Sequence, residues 1–173
     1  MKKIFMMTIA LLIIFSCNVF AAQRSTIGFV IVGGAEFKTN DYYKMIKDEF
    51  KPKNGAKFII GDEMQSKYQK YLIEYDMVGN TVPRRQNLVD FVARSGCSEV
   101  IFLFVTSSTD HQNNPNTRQK NRISVQVDAY RCDGIRVIDV QTTSQESNSK
   151  TSDLRARREA FRKCLDEVAK VYK

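Results

Sequence analysis

Apolar positions along the chain follow two rhythms, one of strand type and one of helical spacing. Residues 27–32, Ile-Gly-Phe-Val-Ile-Val, form a near-continuous apolar run, the pattern of a strand buried on both faces. Gly33-Gly34 ends it. Asn40 is a good helix cap and Asp41 suits a first turn; Tyr43, Ile46 and Phe50 then recur at helical spacing. Pro52 and Asn54-Gly55 close that helix. Residues 56–61 predict a second, short strand. Met64, Tyr68, Tyr71 or Leu72, and Tyr75 predict a second helix. After a break at 79–83, Leu88, Phe91 and Val92 form the stripe of a third helix over 85–95, ended by Gly96.

Three more strands follow, at 100–105, 123–130 and 135–142. Asp133-Gly134 between the last two is a strong hairpin signal, with Gly134 free to take a positive φ. A two-residue turn there would set Cys132 opposite Ile135, Tyr130 opposite Val137, Asp128 opposite Asp139 and Val127 opposite Val140. One face would then collect Ile123, Val125, Val127, Ala129, Ile138 and Val140, and helices must cover it. The other face would be wetter, with Tyr130 and Val137 among polar residues. Residues 106–121 are nearly all polar and read as a long loop between neighbouring strands; 143–150 read as a second polar link. Ser152 or Thr151 then caps a final helix, with Asp153 in its first turn. Leu154, Phe161, Leu165, Val168 and Tyr172 lie along one face of that helix and Arg155, Arg158 and Arg162 along another. The order β-α-β-α-α-β-β-β-α predicts an α/β (α+β) fold: a single domain with a mixed five-stranded sheet and helices packed on it.

The amino terminus changes the picture of where this fold works. Lys2 and Lys3 precede an apolar run from Ile4 to Phe15, then Ser16-Cys17-Asn18-Val19-Phe20-Ala21-Ala22, which reads as a secretory signal over residues 1–21. The mature domain is then residues 22–173, and loss of two lysines takes the net charge from +8 to +6. Ile14-Phe15-Ser16-Cys17 also resembles a bacterial lipobox, which would make Cys17 a lipidation site. Either way the protein is expected in the periplasm or cell envelope, with a membrane contact only through such an anchor. Export argues against a nucleic-acid role for the basic charge and leaves an anionic envelope polymer or an envelope protein as the expected partner. Oligomeric state is open. Cys97, Cys132 and Cys164 remain after cleavage; without a CxxC and with one histidine, a zinc site is not expected, and the cysteines read as buried and inert. Cys132, near a strand end, and Cys164, on the last helix, could meet if that helix lies on the sheet, which spacing alone does not show.

Phe58-Ile-Ile-Gly-Asp-Glu63, followed by Tyr68 and Leu72, resembles the strand-to-helix segment of curli-secretion (CsgG) type proteins. Val92-Ala-Arg-Ser-Gly-Cys-Ser-Glu-Val-Ile101 is similar to that group's next helix-to-strand step, and residues 125–137 resemble its hairpin. The amino-terminal domain of the TolB protein of the Tol-Pal system shares the layout. The resemblance implies a bacterial envelope domain with a binding or assembly role and no catalytic apparatus. Met64 stands near the family's arginine, and no strands of a membrane barrel are present, so pore formation is not implied.

Candidate chemistry is sparse. An Asp128–Asp139 pair on the wetter face would suit a weak metal site or acid–base work, making a hydrolytic or metal-dependent enzyme one alternative. Gly33-Gly34 would let a ligand approach the backbone, which makes a small-ligand carrier another, although no phosphate-loop motif is present. His111 beside Asp110 lies in the polar stretch and, with Arg155, Arg158 and Arg162, forms the expected partner-binding surface. No catalytic residue is assigned and no cofactor is called for. The leading expectation is an exported, non-catalytic binding or assembly module.

Overall fold

The computed structural model describes residues 25–52, 55–79, 84–112, 120–149 and 152–172. The elements are β1 (Thr26–Gly33), a 3-10 turn (Ala35–Phe37), α1 (Asn40–Glu49), β2 (Lys57–Ile59), α2 (Asp62–Glu74), α3 (Arg85–Ser95), β3 (Glu99–Gln112), β4 (Lys120–Asp133), β5 (Val137–Ser149) and α4 (Asp153–Val171). They form the expected single α+β layout around one mixed sheet, in the order β2-β1-β3-β4-β5. β1 is parallel to both β2 and β3, whereas β3, β4 and β5 make an antiparallel meander. The signal segment with Cys17, the 80–83 break, the middle of the 106–121 stretch and Thr151 lie outside the described residues.

Strand parity divides the interior into two cores. Phe29, Ile31, Ile101, Leu103, Val105, Ile123, Val125, Val127 and Ala129 point to one face, where α1 and α4 bury Tyr42, Ile46, Phe50, Phe161, Leu165 and Val168 against them. Val30, Val100, Phe102 and Cys132 point to the other, under Met64, Tyr68 and Tyr71 of α2 and Leu88, Phe91 and Val92 of α3. Each large apolar side chain so buried contributes about 1.5–3 kcal/mol. The crossovers from β1 to β2 and from β2 to β3 run in opposite directions across the sheet, so right-handed connections put their helices on opposite faces. β2 pairs only with the start of β1, from Thr26 to Gly28. Further along, Gln65 of α2 replaces the missing strand: its amide accepts from the Ile31 N–H at 3.2 Å and donates to the Ile31 carbonyl at 2.9 Å.

The β4–β5 hairpin departs from the expected register. Its turn spans Asp133–Arg136, with the Asp133 N–H on the Arg136 carbonyl at 3.1 Å and the Asp133 carboxylate accepting from the N–H groups of Ile135 (2.8 Å) and Arg136 (2.7 Å). Gly134 does not adopt a positive φ. The aspartate side chain, not a left-handed glycine, builds the turn. A bulge follows, so Arg131 faces Asp139, Tyr130 faces Val140 and Asp128 faces Thr142. An odd shift in register exchanges faces. Ile138 and Val140, expected in the core, are therefore 37 % and 39 % exposed.

Both polar stretches are largely strand. β3 continues to Gln112 and β4 begins at Lys120, while β5 runs through 143–149. Beyond Val105, β3 contributes no large apolar residue; Val125 and Ile123 of β4, opposite Ser107 and Thr109, supply the buried side chains there. The inward face of β5 is polar too. Gln141 donates to the Glu167 carbonyl of α4 at 3.3 Å, and Ser147 and Ser149 are buried beneath the first turns of that helix. The expected cap Asn40 is the first helical residue; Thr39 and Ser152 hold the N-cap positions of α1 and α4 without side-chain bonds. Cys132 and Cys164 belong to opposite cores and all three described cysteines are free thiols.

Candidate functional site

β1 is the point where the chain changes direction across the sheet: β2 lies on one side and β3 on the other. In open α/β sheets the carboxyl ends of strands at such a switch bound a crevice. Here that end is Gly33-Gly34. A cleft of about 640 Å³ opens beside it, within the range of small-ligand sites. Gly33 is required by packing, since a Cβ there would stand 2.5 Å from the Val105 carbonyl oxygen of β3. At Gly34 a Cβ would overlap the carboxylate of Glu36, which folds back over the glycine. Both glycines thus keep the exit of β1 low.

The floor comes from the sheet. Phe104 of β3 and Tyr130 of β4 meet edge to face with ring centroids 5.2 Å apart, and Asp128 is the direct cross-strand neighbour of Phe104. The walls are Gln69 and Leu72 of α2, Leu88 of α3 and the exposed Val78, with Glu36 and Lys38 at the rim. Asp128 is half-buried and accepts from the Gln126 amide at 3.3 Å through each oxygen. The cleft therefore joins an aromatic and aliphatic surface to two carboxylates, one ammonium, one amide and the hydroxyl-bearing Thr106, Ser107 and Tyr130. Such a lining holds and orients a small amphipathic molecule: apolar area gives affinity and the few polar groups fix its direction.

The residues expected from sequence are dispersed. Asp128 lines this cleft, but Asp139 is on the opposite face of the sheet, opposite Arg131. The pair does not form, and no group of three metal-ligating side chains exists among the described residues. The basic face of α4 is mostly engaged in the fold. Arg158 is ion-paired with Asp41, and Arg162 lies 3.8 Å from Glu49, so both clasp α4 to α1. Arg155 is exposed in a shallow depression with Glu146, Glu159 and Lys163. His111 is at the far end of β3. Its Nδ1 is 2.9 Å from the Asn121 amide oxygen, and the Asn121 amide nitrogen donates to Asp153 at 2.9 and 3.0 Å. Asp153 can only accept, so the Asn121 oxygen faces His111 and Nδ1 carries the proton. The Ser149 hydroxyl first, and then the Asn121 amide, hold the Asp153 carboxyl below its ordinary range.

Sequence reasoning singled out Gly33-Gly34 but missed Glu36, Lys38, Gln69, Phe104 and Tyr130 as a group. Only strand order brings them together, and that order is not written in any local motif.

A second cleft, of about 530 Å³, lies at the opposite end of the sheet. Arg131 there donates from Nε and Nη2 to Glu99 at 2.6 and 2.9 Å and sits 5.6 Å from the Tyr172 ring centroid. Burial, aided by Asp139, pushes the Tyr172 hydroxyl up to about 12. The charged pair in this cleft is mutually satisfied, which leaves fewer groups for a ligand than the first cleft offers.

No protein-family model matches the chain, and no curated protein matches its sequence. Three solved structures are similar in chain path. A hypothetical protein from Chlamydia trachomatis has 9 % identity and a TM-score of 0.48, over 84 % of this chain and 96 % of its own. A minor lipoprotein from Acinetobacter baumannii has 12 % identity and a TM-score of 0.40, over 86 % and 87 %. A lipoprotein from Neisseria meningitidis has 13 % identity and a TM-score of 0.43, over 84 % and 99 %.

Proposed function

We propose that this chain is an exported, non-catalytic binding domain of the bacterial envelope and that its ligand occupies the cleft at Gly33-Gly34. The observation that carries this reading is the cleft itself: a volume of small-molecule size at the switch point, with an aromatic floor and few polar groups. The apolar amino-terminal run supports export, and the sequence resemblance to curli-secretion and TolB amino-terminal domains supports a binding role. A small amphipathic ligand suits this lining better than a nucleic acid or a metal ion does.

Native mass spectrometry of the protein purified from its own envelope fraction tests the proposal. The expected result is a bound small molecule that is lost from Val78→Trp, which fills the mouth of the cleft, and weakened by Asp128→Asn. Val78 is 60 % exposed, so the tryptophan leaves the core untouched. A wild-type protein that carries nothing, and whose melting temperature no envelope metabolite raises, would overturn it.

One further observation favours assembly as a second reading. β5 is an edge strand of 13 residues whose outer backbone edge pairs with no strand among the described residues. Long open edges are templates for strand addition by a partner chain. In-cell cross-linking from position 144 on β5 would capture a protein under this reading, and a small molecule or nothing under the first.

A further inference from the structure

The two ends of the sheet differ in character, and the chain enters the fold at only one of them. Ser25 and the start of β1 lie at the end away from the Gly33-Gly34 cleft. The start of β2, the β4–β5 turn and the carboxyl ends of α1 and α4 lie there too, as strand direction requires. We infer that this amino-terminal pole is a membrane-facing surface that rests on anionic phospholipid.

Three observations converge on it. The first is exposed apolar surface at projecting points. Ile135, at the tip of the β4–β5 turn, is 87 % exposed, and Val171, at the end of α4, is 55 % exposed. The Asp133 bonds described above hold the turn rigid, so Ile135 is presented and not tucked away.

The second is charge. Lys47 and Lys51 at the end of α1, Lys57 at the start of β2 and Arg136 beside Ile135 are all exposed and make no ion pair among the described residues. β2 and β5 are four strand spacings apart, about 19 Å, so these cations spread across this end of the sheet. Most acids nearby are turned to partners: Asp133 to the turn, Glu99 to Arg131 and Glu49 to Arg162. Asp48 and Asp139 are the exceptions, with no ion pair among the described residues.

The third is attachment. The segment that the sequence assigns to export, residues 1–21, is separated from Ser25 by residues 22–24. A lipid on Cys17 would sit eight residues before Ser25, within about 29 Å of extended chain. A short tether of that kind leaves this pole, and not the cleft, against the bilayer. The Gly33-Gly34 cleft then faces away from the membrane, open to the periplasmic space. Basic residues beside apolar ones are the composition that anionic headgroups attract.

Sedimentation of the mature chain, from Ala22, with phosphatidylcholine vesicles containing one third phosphatidylglycerol tests this without any anchor. The expected result is salt-sensitive binding to these vesicles and none to phosphatidylcholine alone. Each basic residue near such a surface is worth about fivefold in affinity, so Lys57→Glu with Arg136→Glu should weaken binding about thirtyfold or more. Ile135→Asp should weaken it as well. Arg155→Glu, near the other end of the molecule, should leave it unchanged. Failure to sediment with the anionic vesicles would overturn the inference. So would a loss from Arg155→Glu as large per reversed charge as that of the double variant, which would mean that net charge alone attracts the protein.

Discussion

Asp76 holds a backbone conformation that its Cβ disfavours. It sits just past α2 with φ at 51°, the described non-glycine residue at positive φ. The cause is the way the helix ends: the Met77 N–H bonds to the Leu72 carbonyl at 2.8 Å and the Asp76 N–H to that of Ile73 at 3.2 Å, which forces a left-handed residue between them. Glycine takes that conformation without the side-chain penalty, although it gives back part of the gain in unfolded-chain entropy. Asp76→Gly should therefore stabilise the protein by about 0.5–1 kcal/mol, read from urea unfolding. A loss of stability instead would show that the Asp76 carboxylate has a favourable interaction larger than the backbone cost. The sequence carries no warning of this, because Asp76 is an ordinary helix-end acid until the bond pattern is seen.

The elements were legible in proportion to their apolar periodicity. β1, α1, α2, α3 and the first half of β3 each bury a continuous run or a helical stripe, and each was readable. The outer halves of β3 and β5 were not, because their polar residues pair with an apolar strand or bond to α4 and so never alternate. The hairpin register failed for a different reason: Asp133 builds its turn through its own carboxylate, which adds residues that Asp-Gly alone does not predict. That failure separated Asp128 from Asp139; the cleft floor, where Tyr130 and Asp128 share a face with Phe104, depends instead on the β3–β4 pairing, which no local motif encodes. α4 shows the opposite error. Its arginine stripe is legible, yet two of the three arginines are ion-paired with Asp41 and Glu49 of α1. Short β2 leaves the outer edge of β1 unpaired beyond Gly28, and Gln65 fills that gap. Gln65→Ala would leave the N–H and carbonyl of Ile31, a residue only 1 % exposed, without the partners described above. The expected cost is about 1–3 kcal/mol by chemical denaturation. Gln65→Glu should recover little of it, since a carboxylate accepts from the N–H but faces the carbonyl with like charge. An unchanged midpoint in Gln65→Ala would mean that water replaces the amide there.

For the whole molecule, the division into two cores on opposite faces of one sheet decides how it responds to pH. Each core contains a buried thiol that no disulfide can reach across the sheet. Burial pushes Cys132 up to about 12, with Asp133 adding to the effect, and pushes Cys164 up to about 11 against a weaker opposing pull from its bond toward Thr143. Burial raises Tyr172 to about 12 as well, and lifts Tyr68 in the second core. In the unfolded chain these thiols ionise near 9.0 and the tyrosines near 10.0. Their folded values are higher, so the native state keeps protons that the unfolded state gives up. Stability from this source is intact below about pH 9 and falls as pH rises through the folded values. The midpoint of urea unfolding should hence be flat from pH 7 to about 8.5 and decline steadily from about 9 to 12. Replacing Cys132 and Cys164 by alanine removes the earlier part of that decline and moves its onset toward pH 10, where the tyrosines begin to titrate. Native-state alkylation with iodoacetamide at pH 8 gives an independent reading: Cys97, which is half-buried, reacts, while Cys132 and Cys164 react only after unfolding. Rapid modification of all three in the native protein would mean that the two cores open to solvent together, and the alkaline decline would then have to come from elsewhere.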